Sequence, residues 1–259
     1  MILHRSTSGL RVPPAMCFFP PAKSSGTGSV AVSLGGAGPL DVAGILAALD
    51  RYPYGCVEQI TSRAMPLVYL DDVAVSIALA ADQDVKKRVQ IPIAGVLADQ
   101  AASGAFGLWG PEDAGGDLWL DSYVTDFLTR AADKNYYVPA RAKRLALDNL
   151  SNQLAYASDF SSGGEDIAYA LYVLARNGRA AIGDLRYYSD SKLQAFSTPL
   201  AKAQIGAAMA LYGDRQRADR AFTAASADLD RLAAVADRGY RQDYGSNLRD
   251  NAAVLTLAA

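Results

Sequence analysis

The chain has 259 residues, 51% of them hydrophobic, which is enough for one large domain with a substantial core. Its net charge of −2 offers no basic field for nucleic acid or an anionic membrane, and no apolar run reaches the length of a membrane span. One histidine and two cysteines argue against a Ser-His-Asp or Cys-His site, a zinc ligand set and a disulfide framework.

The start, MILHRSTSGLRVPPAMCFFPPAKSS, holds His4, the only imidazole, and Cys17. Arg11, Pro13 and Pro14 interrupt its apolar run, so it makes a poor signal peptide. Residues 1–27 read as a flexible lead, or as the edge of a fragment cut from something larger. A Cys17–Cys56 disulfide fits the cysteine count, but no feature favours it.

Residues 28–40 follow as strand and linker. SVAVSL, Ser29 to Leu34, alternates small polar and apolar residues and predicts a short strand that GGAGP breaks. From residue 41 to 259 the expectation is helical almost throughout. Asp41 caps VAGILAALD, whose Ile45, Leu46 and Leu49 form an apolar stripe. Helices are then expected over Gln59–Leu70, bent at Pro66, over Asp72–Ala81 and over Val85–Ala102. YLDD at Tyr69–Asp72 reads as a helix boundary rather than a metal-binding acidic pair.

GAFGLWGPEDAGGD, Gly104–Asp117, is the longest glycine-rich connection, with Phe106 and Trp109 as anchoring rings or part of a binding face. Asp117 is the expected cap of Leu118–Asp133, in which Trp119, Tyr123 and Phe127 form one row and Leu120, Val124 and Leu128 the next. Ala140–Tyr156, Asp166–Arg176, Pro199–Tyr212, Arg215–Asp228 and Asn247–Ala259 complete the series, separated by breakers such as Gly163-Gly164 and Gly213. IAYALYVLARNG, IGAAMALYGD and NAAVLTLAA echo one another as small-residue-rich apolar helices, the pattern of stacked helical hairpins. The apolar final segment suggests that the chain stops inside the fold.

The chemistry-bearing stretch is YPYGCVEQITSRA, Tyr52 to Ala64. Gly55 permits a sharp turn, and a helix begins right after it. Cys56 and Gln59, three residues apart on a first helical turn, share a face. A helix N-terminus favours the nucleophilic thiolate. A thiolate held against a carboxamide attacks the carbonyl and expels ammonia, leaving an internal thioester between Cys56 and Gln59. Tyr52, Pro53 and Tyr54 are suited to covering that bond. Glu58 either relays a proton during amide loss or stabilises the helix N-terminus. The plainer alternative is a buried free cysteine followed by two solvated polar residues.

The longer string YPYGCVEQITSRAMPLVY closely resembles the thioester signature of the bacterial α2-macroglobulins, relatives of the thioester-containing complement proteins. GAFGLWG with GDLWLDSYVTDFLTRA, EDIAYALYVLARNG and YGSNLRDNAAVLTLAA also look like segments of that family, so the resemblance covers about 30–259. It implies an all-α domain, an α/α toroid with a short N-terminal β segment from a neighbouring β-domain. It implies Cys56 and Gln59 as the thioester residues, Glu58 as the motif acid, and Tyr52 and Tyr54 as the shield. It also implies a single-use protease trap, not a turnover enzyme, in the periplasm or cell envelope. The resemblance further implies that proteases are captured there through lysine amines after a bait segment is cut, with no cofactor or metal.

The bait segment, the macroglobulin repeats and the lipobox are absent from this sequence, so the full trap lies beyond this chain alone. Because no histidine follows His4, amines are expected to attack directly and in preference to sugar hydroxyls. Two other readings stay open. One is an α/α-toroid hydrolase or lyase with carboxylates from Glu112, Asp113, Asp117, Glu165 and Asp166, acids beside glycines at expected helix starts that capping explains better. The other is a helical interaction scaffold with an inert Cys56.

Overall fold

The computed structural model describes residues 55–69, 85–233, 241, 243 and 245–259, all within the compact unit Leu49–Ala259. The expected strand at Ser29–Leu34, the helix capped by Asp41, the segment Asp72–Ala81, Cys17, Tyr52 and Tyr54 lie outside the described residues. Among the described residues there are nine α-helices and two isolated β-bridges, Gln100 with Phe106 and Gly163 with Phe196.

The helices are α1 (Val57–Leu67), α2 (Val85–Ala98), α3 (Leu118–Asp133), α4 (Ala140–Ala155), α5 (Glu165–Arg176), α6 (Ile182–Tyr187), α7 (Pro199–Leu211), α8 (Arg215–Ala233) and α9 (Asn247–Ala258). Their packing has a simple rule. The odd helices touch in succession, α1 on α3, α3 on α5, α5 on α7 and α7 on α9. The even helices lie against them: α2 on α1, α4 on α3 and α5, α6 on α7, α8 on α7 and α9. An inner series backed by an outer one is the α/α-toroid arrangement, and the echoing apolar segments are the inner helices α5, α7 and α9.

Burial follows from composition. In α7 every residue from Ala201 to Met209 is buried, as expected of a helix apolar on all sides. Its small residues let α8 come close, and a Cβ on Gly206 would meet the Phe222 ring at 3.1 Å. The core runs through Leu150, Leu171, Leu185, Phe196, Ile205 and Met209. In α3 the row Leu120, Val124 and Leu128 is buried along with Phe127, while Trp119 and Tyr123 are half-buried. Asp117 caps α3 as expected, its carboxylate accepting from Leu120 N–H at 3.0 Å. That bond contributes about 1 kcal/mol.

Several expected bounds shift. The first helix starts at Val57 and ends at Leu67, which puts Pro66 in its last turn. α2 stops at Ala98, because the chain turns there to pair Gln100 with Phe106. α8 continues past Asp228, whose carboxylate is held by the buried Lys202 of α7 at 2.6 Å. The sequence predicted no element between Asn177 and Thr198, yet α6 is followed there by a π turn (Tyr188–Lys192) and a 3-10 turn (Leu193–Ala195).

A charge cluster secures α9. Arg241 reaches Asp243 at 2.7 Å and the fully buried Asp250 at 2.8 Å, and Arg249 reaches Asp243 at 2.6 Å. Burial pushes the Asp243 carboxyl up, but the two arginines outweigh it and hold it below its ordinary value of 3.8. Its contribution to stability is therefore present above 3.8 and lost as pH falls through the lower folded value. Asp243→Asn is expected to cost about 1–3 kcal/mol at neutral pH and to flatten the acid limb of a melting-temperature profile. An unchanged acid limb would remove Asp243 from the account.

Candidate functional site

The site is built where α1 begins. Cys56 is the N-cap residue, in extended backbone at φ −69° and ψ 158°, and its thiol is free and buried. Gln59 is the third helical residue. N-cap and third helical position are the pair that a capping box joins, because the first turn carries the third side chain back over the N-cap. Cys56 and Gln59 thus share the first turn of α1. The Gln59 Oε1 oxygen is buried and accepts no hydrogen bond from the described residues. A buried carbonyl left without a donor is costly, and it sits on the carbon that a thiolate would attack.

Glu58 points into a different set of partners. Ser62 Oγ donates to Glu58 Oε1 at 2.6 Å, and Tyr123 of α3 lies 3.0 Å from the same Ser62 oxygen. Because the Ser62 proton is used on Glu58, Tyr123 is the donor to Ser62. Burial pushes the Tyr123 phenol up to about 12, so it keeps that proton. Glu58 is thereby fixed one residue before Gln59 at the end of a Tyr–Ser–Glu chain.

The glycine-rich loop closes over the helix start. The Leu108 carbonyl accepts from Val57 N–H at 3.0 Å, satisfying one of the donors that a helix N-terminus leaves open. The loop is folded tightly to do this. Gly107 N–H donates to the Asp99 carbonyl at 3.1 Å, and Ala101 N–H to the Ala105 carbonyl at 2.9 Å. Gly104 has φ +95°, and a Cβ there would lie 2.1 Å from the Leu145 carbonyl oxygen of α4. Phe106 is buried as an anchor, whereas Trp109 is 67% exposed. Beneath the loop, Asp121 of α3 is fully buried and accepts from Phe106 N–H, Asn149 Nδ2 and Gln153 Nε2 at 2.7, 2.8 and 2.5 Å. Burial pushes its carboxyl above the ordinary value, against the pull of the three donors. The sequence reading passed over Asp121, since its partners lie 15, 28 and 32 residues away.

The inner helices also surround a cavity of about 690 Å³, lined by residues of α1, α3, α5, α7 and α9. Asp126 lines it and accepts from Arg130 at 2.9 Å and from Tyr169 at 3.0 Å. Of the five acids proposed for carboxylate catalysis, only Glu165 lines this cavity. Asp166 lines a separate depression, and Asp113 and Asp117 a third beside Glu58. Glu112 is exposed in the 3-10 turn Pro111–Asp113. None of these three depressions gathers the five, and Asp117 caps α3. Among the described residues no three His, Cys, Asp or Glu side chains are grouped as a metal site needs, and no helix is long and apolar enough to cross a membrane.

No family model matches the chain. The alpha-2-macroglobulin of Escherichia coli (strain K12) is 35% identical over 238 residues, which is 86% of this chain and 14% of that protein. Among solved structures, Salmonella alpha-2-macroglobulin reacted with methylamine superposes with a TM-score of 0.70 and 34% identity, covering 85% of this chain and 15% of that one. Trypsin-activated alpha-2-macroglobulin from Escherichia coli gives a TM-score of 0.66 and 32% identity, covering 80% and 14%. The chain thus spans about a seventh of the length of the relatives it matches.

Proposed function

Because the chain belongs to the bacterial alpha-2-macroglobulin family, we propose that it is the family's thioester domain, in which Cys56 and Gln59 close into a single-use acylating bond. The observation that carries this reading is the placement of Cys56 at the N-cap and Gln59 at the third helical position, with the Gln59 carbonyl oxygen buried and unpartnered among the described residues. In closure, Cys56 Sγ attacks Gln59 Cδ, the carbon–nitrogen bond breaks, and Nε2 leaves as ammonia with the thiol's proton. In capture, a lysine Nζ attacks the same carbon. The carbon–sulfur bond breaks, Cys56 is released as a thiol, and an isopeptide joins Gln59 to the lysine.

Glu58 takes the proton that the lysine ammonium loses before its free amine attacks; the Ser62 hydrogen bond that orients this carboxylate supports the role. Tyr52 and Tyr54, immediately before the turn, shield the bond from water. The targets are proteases, attacked at surface lysines; the activation of a solved relative by trypsin supports that class of partner. The setting is the periplasm or cell envelope, and the chain acts within a longer macroglobulin.

The test is the intact mass of freshly prepared protein. It is expected to be lower than the sequence mass by one ammonia, and methylamine should add one methylamine to Gln59 while freeing the Cys56 thiol for labelling. A full sequence mass, with Cys56 labelled before any amine is added, would overturn the reading.

A further inference from the structure

Asp121 holds the loop over the helix start from below, and Gln100 Nε2 ties its beginning to the Ala142 carbonyl of α4 at 3.0 Å. We propose that Asp121 is a positioning residue for the Cys56–Gln59 pair, acting through the 99–110 loop; this rests on the thioester reading. Asp121 Oδ1 accepts from Phe106 N–H at 2.7 Å, and two residues further on the Leu108 carbonyl accepts from Val57 N–H at 3.0 Å. Phe106 and Val57 are both buried, so neither N–H has water as a substitute partner. Asn149 and Gln153 of α4 grip the other carboxylate oxygen, which fixes the acid itself. The line of contact therefore runs from α4 through Asp121, the loop backbone and the Val57 amide to the first turn of α1.

That turn is the part of a helix most prone to fray. Fraying would separate Cys56 from Gln59 before closure, and would open the acyl carbon to water after it. Asp121 touches neither reacting atom. It sets how often the turn opens.

The experiment uses the full chain in two backgrounds. In a Gln59→Ala background Cys56 remains a thiol whether or not closure occurs, and maleimide labelling is read on the Cys56 peptide so that Cys17 does not interfere. Asp121→Ala is expected to speed this labelling about tenfold or more. Asp121→Asn keeps an acceptor for Phe106 N–H, while Asn149 and Gln153 can turn their carbonyls toward its amide, so it should stay near the parent rate. Asn149→Ala loses a bond of the same carboxylate without cutting the link to the loop. It should stay within about twofold when each protein is compared at the same interval below its own melting temperature.

Equal acceleration by Asn149→Ala and Asp121→Ala would make the effect one of general stability and overturn the proposal. So would an unchanged rate in Asp121→Ala. If Asp121→Ala does not fold, Asp121→Ser, too short to reach Phe106 N–H, takes its place with the same expectations. In the second background, which keeps Gln59, the ammonia deficit should disappear faster from Asp121→Ala than from the parent chain, and equal lifetimes would overturn the proposal. A parent chain with no deficit at all would overturn the thioester reading, while the labelling arm would still decide whether Asp121 holds the turn.

Discussion

Cys56→Ala should take up no labelled primary amine at all, and its intact mass should show no ammonia deficit. The expectation follows from the bond that carries the energy. Only sulfur at this position can displace the Gln59 amide nitrogen and remain a good leaving group afterwards. Cys56→Ser should fail for the same reason, because a hydroxyl is a weaker nucleophile and an oxygen ester a poorer acyl donor. Gln59→Glu should fail too, because a carboxylate resists attack by a thiolate. All three variants should melt within about 2 kcal/mol of the parent, since Cys56 is one small buried group at a helix end.

In the parent chain, labelled amine should outpace labelled glycerol, because no histidine follows His4 to convert a thioester into an acyl donor for hydroxyls. Equal rates would refute direct attack by amines. Retention of amine uptake in Cys56→Ala would remove Cys56 from the chemistry.

Gly107→Ala should be the most damaging single methyl added to this part of the molecule. A Cβ at Gly107 would lie 1.7 Å from the Gly110 carbonyl oxygen and 3.0 Å from the Ala114 nitrogen. Both are backbone atoms, so no side chain can swing away to make room. The loop must unfold locally or give up its turn, at about 3 kcal/mol or more. Because Gly107 lies beside Leu108, the Val57 N–H loses its acceptor as the turn opens. Hydrogen exchange at the Val57 amide is expected to rise far more than exchange in α7, and the melting temperature to fall by several degrees. Uniform loss of protection in both places would mean that the loop is no separate unit of stability.

Local signals in the sequence predict much of this domain, and their failures have common causes. Asp117 is legible as a cap because cap and first turn adjoin. The two apolar rows of α3 are legible because a helical period repeats within one segment. The echo among α5, α7 and α9 reflects their shared inner position, where neighbouring backbones demand small residues.

The apolar period points to a helix from Gln59 and the Gly55 turn to one just after it; the structure starts α1 between the two, at Val57, with Cys56 as N-cap although cysteine is not among the usual capping types. With Cys56 as the N-cap, Gln59 falls at the third helical position, the spacing that a capping box uses. The turn of α6 and the π segment after it went unseen, since Gly183 and a polar composition hide a short helix. Asp121 was invisible for a different reason: nothing local distinguishes it from a solvated helix acid, and only the return of the 99–110 loop makes it an acceptor. The five acids of the carboxylate reading are spread over different depressions, with only Asp113 and Asp117 together, which nothing local in the sequence shows.

The burial of α7 on every side makes it the hub against which α5, α6, α8 and α9 are assembled. A cut within Pro199–Leu211 would leave neither piece with a finished interior. A cut in the exposed stretch around Tyr156 and Ser161 would instead separate two fragments that each keep complete helices and share the α3–α5 seam. Such halves should recombine when mixed, so a split reporter placed there would light up only when the two polypeptides meet.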